Sequence, residues 1–303
     1  MEPEQPESLP LLVCALIVSH NCADALRRSV AALEASKGRE RMEILVVDNG
    51  SRDGSQRMDS EFPDINMLRL PHFCGLTKAR NIGIRTAKAE YLLLLEPGVE
   101  VEPGTVMALV DRLEGDPTAL AVCPYVKDDA GAVVSKMYEL PSAAHVSTYW
   151  ENPLAMAQVG DRGTFQLHDG KAILLRRHTI QGMNYLDQKF GENWGDVEMA
   201  FQIHRAGKKM VMAPDIEVRR DGAVKLWAPT DSGERAAFAA DAANGAAVYL
   251  GKHFGFAAGL GLRLKVIFGA LLKTITFQDF GFNSSLLSRA ISGYKIDGSS
   301  QRL

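Results

Sequence analysis

The chain has 303 residues, 46% hydrophobic and 23% charged, with a formal net charge of −3. That composition excludes a disordered or fibrous protein and suits one large domain or two ordinary ones. The balance of 34 Lys and Arg against 37 Asp and Glu removes the bulk electrostatic basis for nucleic-acid binding. Four cysteines, Cys14, Cys22, Cys74 and Cys123, form no Cys-x-x-Cys pair. Neither a zinc site nor a disulfide framework is expected, and a cytoplasmic, reducing setting is the default.

Residues 1–10 are acidic and Pro-rich where a signal peptide is basic and then apolar, so they read as a disordered lead. Residues 12–18 (LVCALIV) form a buried strand, followed by a Ser-His-Asn turn and a helix over 23–35 with Leu26, Val30 and Leu33 at helical spacing. A second strand over 43–47 ends in the turn residues Asp48-Asn49-Gly50-Ser51, and a weaker third covers 66–70. A glycine-containing loop leads into a helix over 77–87 and then the most apolar strand, YLLLL, over 91–95. A helix over 103–113, a strand over 119–124 and a hairpin turn at 128–131 follow. Residues 137–165 read as a long variable loop with a helical piece, and 196–206 as a helix closed by Gly207, with Asp196 as its N-cap. A strand over 209–213 precedes a mostly helical tail from 236 onward. Alternating strands and helices predict an α/β fold with a mixed, mainly parallel sheet flanked by helices. The expected division is a lead over 1–10, an α/β domain over 11–225 and a helical C-terminal extension over 226–303.

Ligands of open α/β sheets bind beyond the carboxyl ends of the strands. Asp48 sits at such an end, where its carboxylate either accepts from a nucleobase N–H or simply shapes a turn. Arg80 and Lys78 lie on the opening turn of a helix, where free backbone N–H groups and a cation suit a diphosphate, although Lys78 reads better as part of a solvated helix face.

Four segments occur in one order: Val18-Ser19-His20-Asn21; Val47-Asp48-Asn49-Gly50-Ser51-Arg52-Asp53-Gly54; Gly75-Leu76-Thr77-Lys78-Ala79-Arg80-Asn81-Ile82-Gly83; and Trp194-Gly195-Asp196-Val197-Glu198-Met199 before Arg205-Ala206-Gly207. Together they resemble the family 2 glycosyltransferases of the GT-A fold, over about residues 11–222, and most nearly the rhamnosyltransferase-like branch. The resemblance implies a nucleotide-diphospho-sugar donor against Ser19, Asn21, Asp48, Gly75, Arg80, Asn81 and Glu96. It implies a glycan or lipid-linked acceptor, an inverting mechanism, and Asp196 as the base that deprotonates the acceptor hydroxyl. Trp194 either stacks on the acceptor sugar or packs as core.

The pattern breaks at the Mg²⁺ or Mn²⁺ typical of the family. After YLLLL the chain reads Glu96-Pro97-Gly98, with Gly98 where a metal-binding Asp is expected. A ligand His is expected near Val218, and the chain has Arg219-Arg220; the acidic residue usual before the base is Gly195. Gly and Arg side chains ligate neither ion, so no metal residue is assigned. Three accounts follow. Arg219 or Arg220 clamps the leaving diphosphate without a metal; the chain is an inactive sugar-nucleotide binder or structural partner of another glycosyltransferase; or Glu96 or Glu100 takes the metal. Retention of Asp196 favours the first.

From Gly251 onward there are seven Lys and Arg against two Asp and Glu, a local +5 that leaves −8 for the rest. Residues 254–277 set Leu264, Ile267, Phe268, Leu271 and Ile275 on one helical side, near Arg263, Lys265 and Lys273. That stripe suits either an anionic membrane surface, on the inner face of the cell membrane, or packing against the domain or a partner subunit.

Overall fold

The computed structural model describes residues 10–155, 166–220 and 228–296. Apart from Pro10, the expected lead lies outside these residues, as does the expected boundary at 225.

In chain order the elements are β1 (Val13–Ser19), α1 (Ala23–Glu34), β2 (Met42–Asp48), β3 (Asn66–Arg69), α2 (Leu76–Thr86), β4 (Tyr91–Leu95), β5 (Val99–Val101), α3 (Thr105–Glu114) and β6 (Ala119–Lys127). There follow β7 (Met137–Tyr138), α4 (Ala143–Thr148), β8 (Leu167–His168), β9 (Ala172–Arg176), α5 (Arg177–Gly182), α6 (Gly191–Arg205), β10 (Lys209–Arg220), α7 (Ser232–His253), α8 (Phe256–Ile275) and α9 (Phe280–Ser292). Eight strands form one sheet in the order β3-β2-β1-β4-β9-β6-β10-β5. All run parallel except β9, antiparallel to β4 and β6, and β5, antiparallel to β10.

Side chains alternate across a strand, and this alternation sorts the core into two layers. Val13, Ala15 and Ile17 of β1 pack with Leu26, Val30 and Leu33 of α1 and with α3 on one face. Cys14 and Leu16 pack with α2, α6 and α7 on the other. A sheet covered on both faces reads as continuous apolar runs, which is why LVCALIV and YLLLL lack a polar side.

The register sets Ser19 beside Asp48 and Ile17 beside Leu95, so β1 and β2 end together and β4 two residues short of them. Their terminal loops therefore meet above the sheet, the place such folds use for ligands.

Two boundaries differ from the sequence reading. The strand expected over 209–213 runs on to Arg220, because its second half pairs with β5 and β6. The helix expected to begin at Asp196 begins at Gly191. Its Glu192 N–H donates to Asp241 Oδ2 on α7 at 2.8 Å, so the cap comes from a distant element and Asp196 lies inside the helix.

The C-terminal helices are packed on the sheet's α6 side. Glu198 of α6 is buried and receives Lys252 Nζ at 2.7 Å and His253 Nε2 at 2.6 Å, tying α6 to the end of α7. Helix α8 crosses α7 closely: a Cβ on Gly259 would strike the Ala247 carbonyl and the Gly251 backbone. The inward face of α8 is Gly259, Leu262, Val266 and Ala270. The stripe read from the sequence, left between a membrane surface and packing, faces out, with Leu264, Phe268, Leu271 and Ile275 exposed.

Candidate active site

A cleft of about 190 Å³ opens above the strand ends, lined by Leu16, Val18, His20, Cys22, Leu76, Arg80, Leu95, Glu96 and Pro97. Segments from two of the four motifs, the first and the third, thus meet at one cavity, and Glu96 from the altered metal motif joins them.

Asp48 closes β2 and is buried. Its Oδ2 accepts from the Ser51 N–H at 3.2 Å, while Oδ1 has no hydrogen-bond partner among the described residues. A buried carboxylate oxygen left unpaired is costly, and a ligand N–H would satisfy it. Asn49 joins the loops on either side: Nδ2 donates to the Gly75 carbonyl at 3.2 Å and Oδ1 accepts from the Cys74 N–H at 2.9 Å. An Asp at this position would lose the amide donor, which gives the Asn a structural reason.

Ser19 is fully buried beside Cys22, its Oγ 3.6 Å from Sγ, so it shapes the end of β1 without lining the cleft. Asn21 adopts φ 48° and also points away from the lining. Its Oδ1 accepts from the Arg52 N–H at 2.8 Å, its N–H donates to Ser51 Oγ at 3.0 Å, and its Nδ2 lies 3.2 Å from His20 Nε2.

His20 is the lining residue that the sequence reading did not single out, although it stands in the first motif. Its Nδ1 lies 2.8 Å from the Asn49 carbonyl, which fixes the proton on Nδ1 and leaves Nε2 as acceptor. Burial lowers its pKa, so the ring is neutral at physiological pH.

Arg80 links the cleft to the proposed base. It lines the cleft, and its Nη1 reaches Asp196 Oδ1 at 2.9 Å and Oδ2 at 3.1 Å. The pair is only partly exposed, at 15% and 32% of the two side chains, so the geometry is well held. Beneath it lies a small void shared with His168, Gly170 and Met199.

Gly75 caps α2 with φ 85° and ψ 156°, a backbone that favours glycine, and an added Cβ would strike the Glu192 carboxylate. Glu192 accepts from the Leu76 N–H at the start of α2. The helix N-terminus expected to meet a diphosphate is thus already capped by a carboxylate from α6. Asp241 stands behind, accepting from the Glu192 and Ile296 N–H groups at 2.8 and 2.9 Å. Burial first, and the Asp241 charge second, push the Glu192 carboxyl up to about 8 from its ordinary 4.5.

A carboxyl whose folded-state pKa is raised binds its proton more tightly when folded. Its contribution to stability is therefore greatest below about 4.5 and declines as pH rises towards about 8. Glu192→Gln keeps an acceptor for Leu76 and is expected to flatten this decline. Urea midpoints across that range test it, with the variant overtaking wild type at the alkaline end.

Three further expected site residues stand away from the cleft. Asn81 is buried, its Nδ2 donating to the Leu186 carbonyl at 2.7 Å and its Oδ1 accepting from the Leu186 N–H at 3.0 Å, so it clamps the loop before α6 rather than facing the cleft. Trp194 is fully enclosed: Nε1 donates to the Trp150 carbonyl at 3.1 Å and the ring lies 5.3 Å from Tyr249. It is core and presents no face to an acceptor. Arg219 is half-exposed on β10 and pairs with Glu100 of the edge strand β5 at 2.9 Å; it does not line the cleft.

Arg220 is different. Its guanidinium pairs with Glu96, a cleft-lining residue, at 2.8 Å. This corner does not fit a divalent cation. The Glu96 carboxylate already faces a guanidinium, Gly98 has no side-chain ligand and its N–H donates to Ala25 and Ser29, and Val218 is buried. Among the described residues no group of three His, Cys, Asp or Glu side chains comes together for a metal.

Comparison with known proteins agrees with this architecture. The profile described as glycosyl transferase family 2 matches residues 14–180. An N-acetylglucosaminyl-diphospho-decaprenol L-rhamnosyltransferase of Mycobacterium tuberculosis is 25% identical over 226 residues, 66% of this chain and 73% of that protein. The mannosyltransferase PcManGT from Pyrobaculum calidifontis, solved with GDP-Man and Mn²⁺, superposes with a TM-score of 0.51 at 14% identity, over 96% of this chain and 90% of that one. GalNAc-T7, solved with UDP, GalNAc and Mn²⁺, gives 0.55 at 18% identity over 76% and 47%. These two likenesses establish a GT-A fold.

Proposed function

Because the chain belongs to glycosyl transferase family 2, we propose that it moves a sugar, with inversion, from a nucleotide-diphospho-sugar to a glycan or lipid-linked acceptor, with Arg220 serving where relatives hold a cation. The chain is a glycosyltransferase working from a sugar-nucleotide donor. A relative whose name specifies a diphospho-decaprenol acceptor supports a lipid-linked substrate. Such a substrate would bring the reaction to the inner face of the cell membrane and make the product a building block of surface polysaccharide. Residues 11–225 form the catalytic domain in this reading, and 226–303 a helical extension.

The observation that carries the reading is Arg80, which joins the donor cleft to the Asp196 carboxylate. Asp196 takes the proton of the acceptor hydroxyl as its oxygen attacks the anomeric carbon. The bond from that carbon to the donor phosphate breaks on the opposite side, and the electron pair leaves with the nucleoside diphosphate. Charge developing on the diphosphate is met by Arg220, aimed by Glu96, and by Arg80 at the cleft wall. Asp48 Oδ1 receives a nucleobase N–H.

Calorimetric titration with UDP-, GDP-, CDP- and dTDP-sugars tests donor binding. One nucleotide class is expected to bind, and Asp48→Ala to weaken it about 10- to 10²-fold, the worth of a hydrogen bond to a charged group. No heat from any donor would refute the assignment of the cleft.

A further inference from the structure

Helix α8 is apolar on two opposite sides. Its inward residues are Gly259, Leu262, Val266 and Ala270. Its outward stripe runs Phe256, Leu260, Leu264, Phe268 and Leu272 in steps of four, joined by Leu271 and Ile275. Phe268, Leu272 and Ile275 are 62–64% exposed, and Phe256 and Phe277 both 79%. Phe277 stacks on Phe280 at 5.8 Å just beyond the helix, extending the surface. Single exposed apolar residues are ordinary on proteins; an unbroken stripe about 30 Å long on a 20-residue helix is not.

We propose that this outer face of α8, continued by Phe277 and Phe280, lies flat in the interface of an anionic lipid bilayer. Charge selects the occupant. Helix α8 carries Arg263, Lys265 and Lys273 and no acidic residue, and the chain from Gly251 onward is +5 overall. Lys265 is exposed at the edge of the stripe, its Nζ donating to the Ser147 carbonyl at 2.7 Å, and Lys273 is exposed on the opposite side of the helix, in line with Leu262 and Val266. In a two-fold dimer the same face meets itself, so lysines would approach lysines with no carboxylate on either α8 to pair them. Anionic headgroups supply the opposite charge that α8 itself lacks, and a lysine near such a surface favours binding. No helix among the described residues is long and apolar enough to cross a membrane, so the contact is interfacial. The surface deepens the reading of a membrane-borne acceptor, yet its test requires no turnover.

The test is sedimentation of the full chain with phosphatidylcholine vesicles and with vesicles that also contain phosphatidylglycerol. The expected result is stronger binding to the anionic vesicles, weakened by salt. Phe268→Glu with Leu272→Glu should abolish binding to both. Lys265→Gln should weaken anionic binding about five-fold and leave phosphatidylcholine binding unchanged. Thermal midpoints and sugar-nucleotide titration should match wild type in all variants, which separates this surface from the donor cleft. Failure to sediment with either vesicle, or a concentration-dependent dimer that Phe268→Glu dissociates, overturns the proposal.

Discussion

Asp196→Asn is expected to lower kcat for sugar transfer by about 10²- to 10⁴-fold, the usual contribution of a positioned general base. The substitution is nearly isosteric, and its amide oxygen can still accept from Arg80 Nη1, which holds the carboxylate at 2.9 Å. Fold and donor affinity should therefore survive, confining the loss to the chemical step. In free-energy terms the loss is about 3 to 5 kcal/mol of transition-state stabilisation. Rapid-quench measurement of transfer at saturating donor reads it directly. A variant that transfers at the wild-type rate would remove Asp196 from the mechanism and turn attention to another carboxylate.

Trp194→Ala is expected to destabilise the protein by about 3 to 5 kcal/mol, the range for deleting a large aromatic side chain from a packed core. The ring is fully buried between α6 and α7, and its Nε1 hydrogen bond to Trp150 would also be lost. Trp194→Phe should cost less, because most of the apolar contact remains. Urea unfolding gives both values. The alternative role, stacking on an acceptor sugar, predicts the reverse: an increased acceptor KM with little change in stability.

These two residues show why local sequence signals reached only part of the site. The strands were legible because a sheet covered on both faces needs unbroken apolar runs, and β4 begins and ends where YLLLL does. Asp48 and Arg80 were legible because a strand end and a helix opening are places fixed by local sequence. The start of α6 was not. Gly195-Asp196 looks like a helix cap, but the cap is Asp241, 49 positions beyond Glu192. Trp194 carries no mark that distinguishes a sugar platform from core, since its burial depends on Tyr249 of α7. Asn81 resembles a donor contact until Leu186 is seen on its amide.

The tail illustrates a different ambiguity. Periodicity locates an apolar stripe but cannot say which side of a helix faces the core when both sides are apolar. In α8 the inward side is made of smaller residues, with Gly259 at the crossing with α7, and the larger residues are left outside. The charge split of −8 and +5 was a better guide, because it marks where the exposed stripe lies.

The arginine substitution at the metal corner was legible as an absence of ligands, but its consequence required the strand pairing. Residues 219 and 220 are neighbours in sequence and face different ways: Arg219 pairs with Glu100 at the exposed edge, Arg220 with Glu96 at the cleft. Of the two, only Arg220 is paired with a cleft-lining residue.

The central claim is that this site transfers sugar with Arg220 in the role of a cation. It is tested most directly by measuring nucleoside diphosphate release from the preferred sugar donor in excess EDTA, for wild type, Arg219→Ala and Arg220→Ala. The account predicts full wild-type turnover in EDTA, a near-normal Arg219→Ala as expected for an exposed ion pair, and an Arg220→Ala rate reduced about 10²-fold. Wild-type turnover that EDTA abolishes and Mn²⁺ alone restores would contradict it.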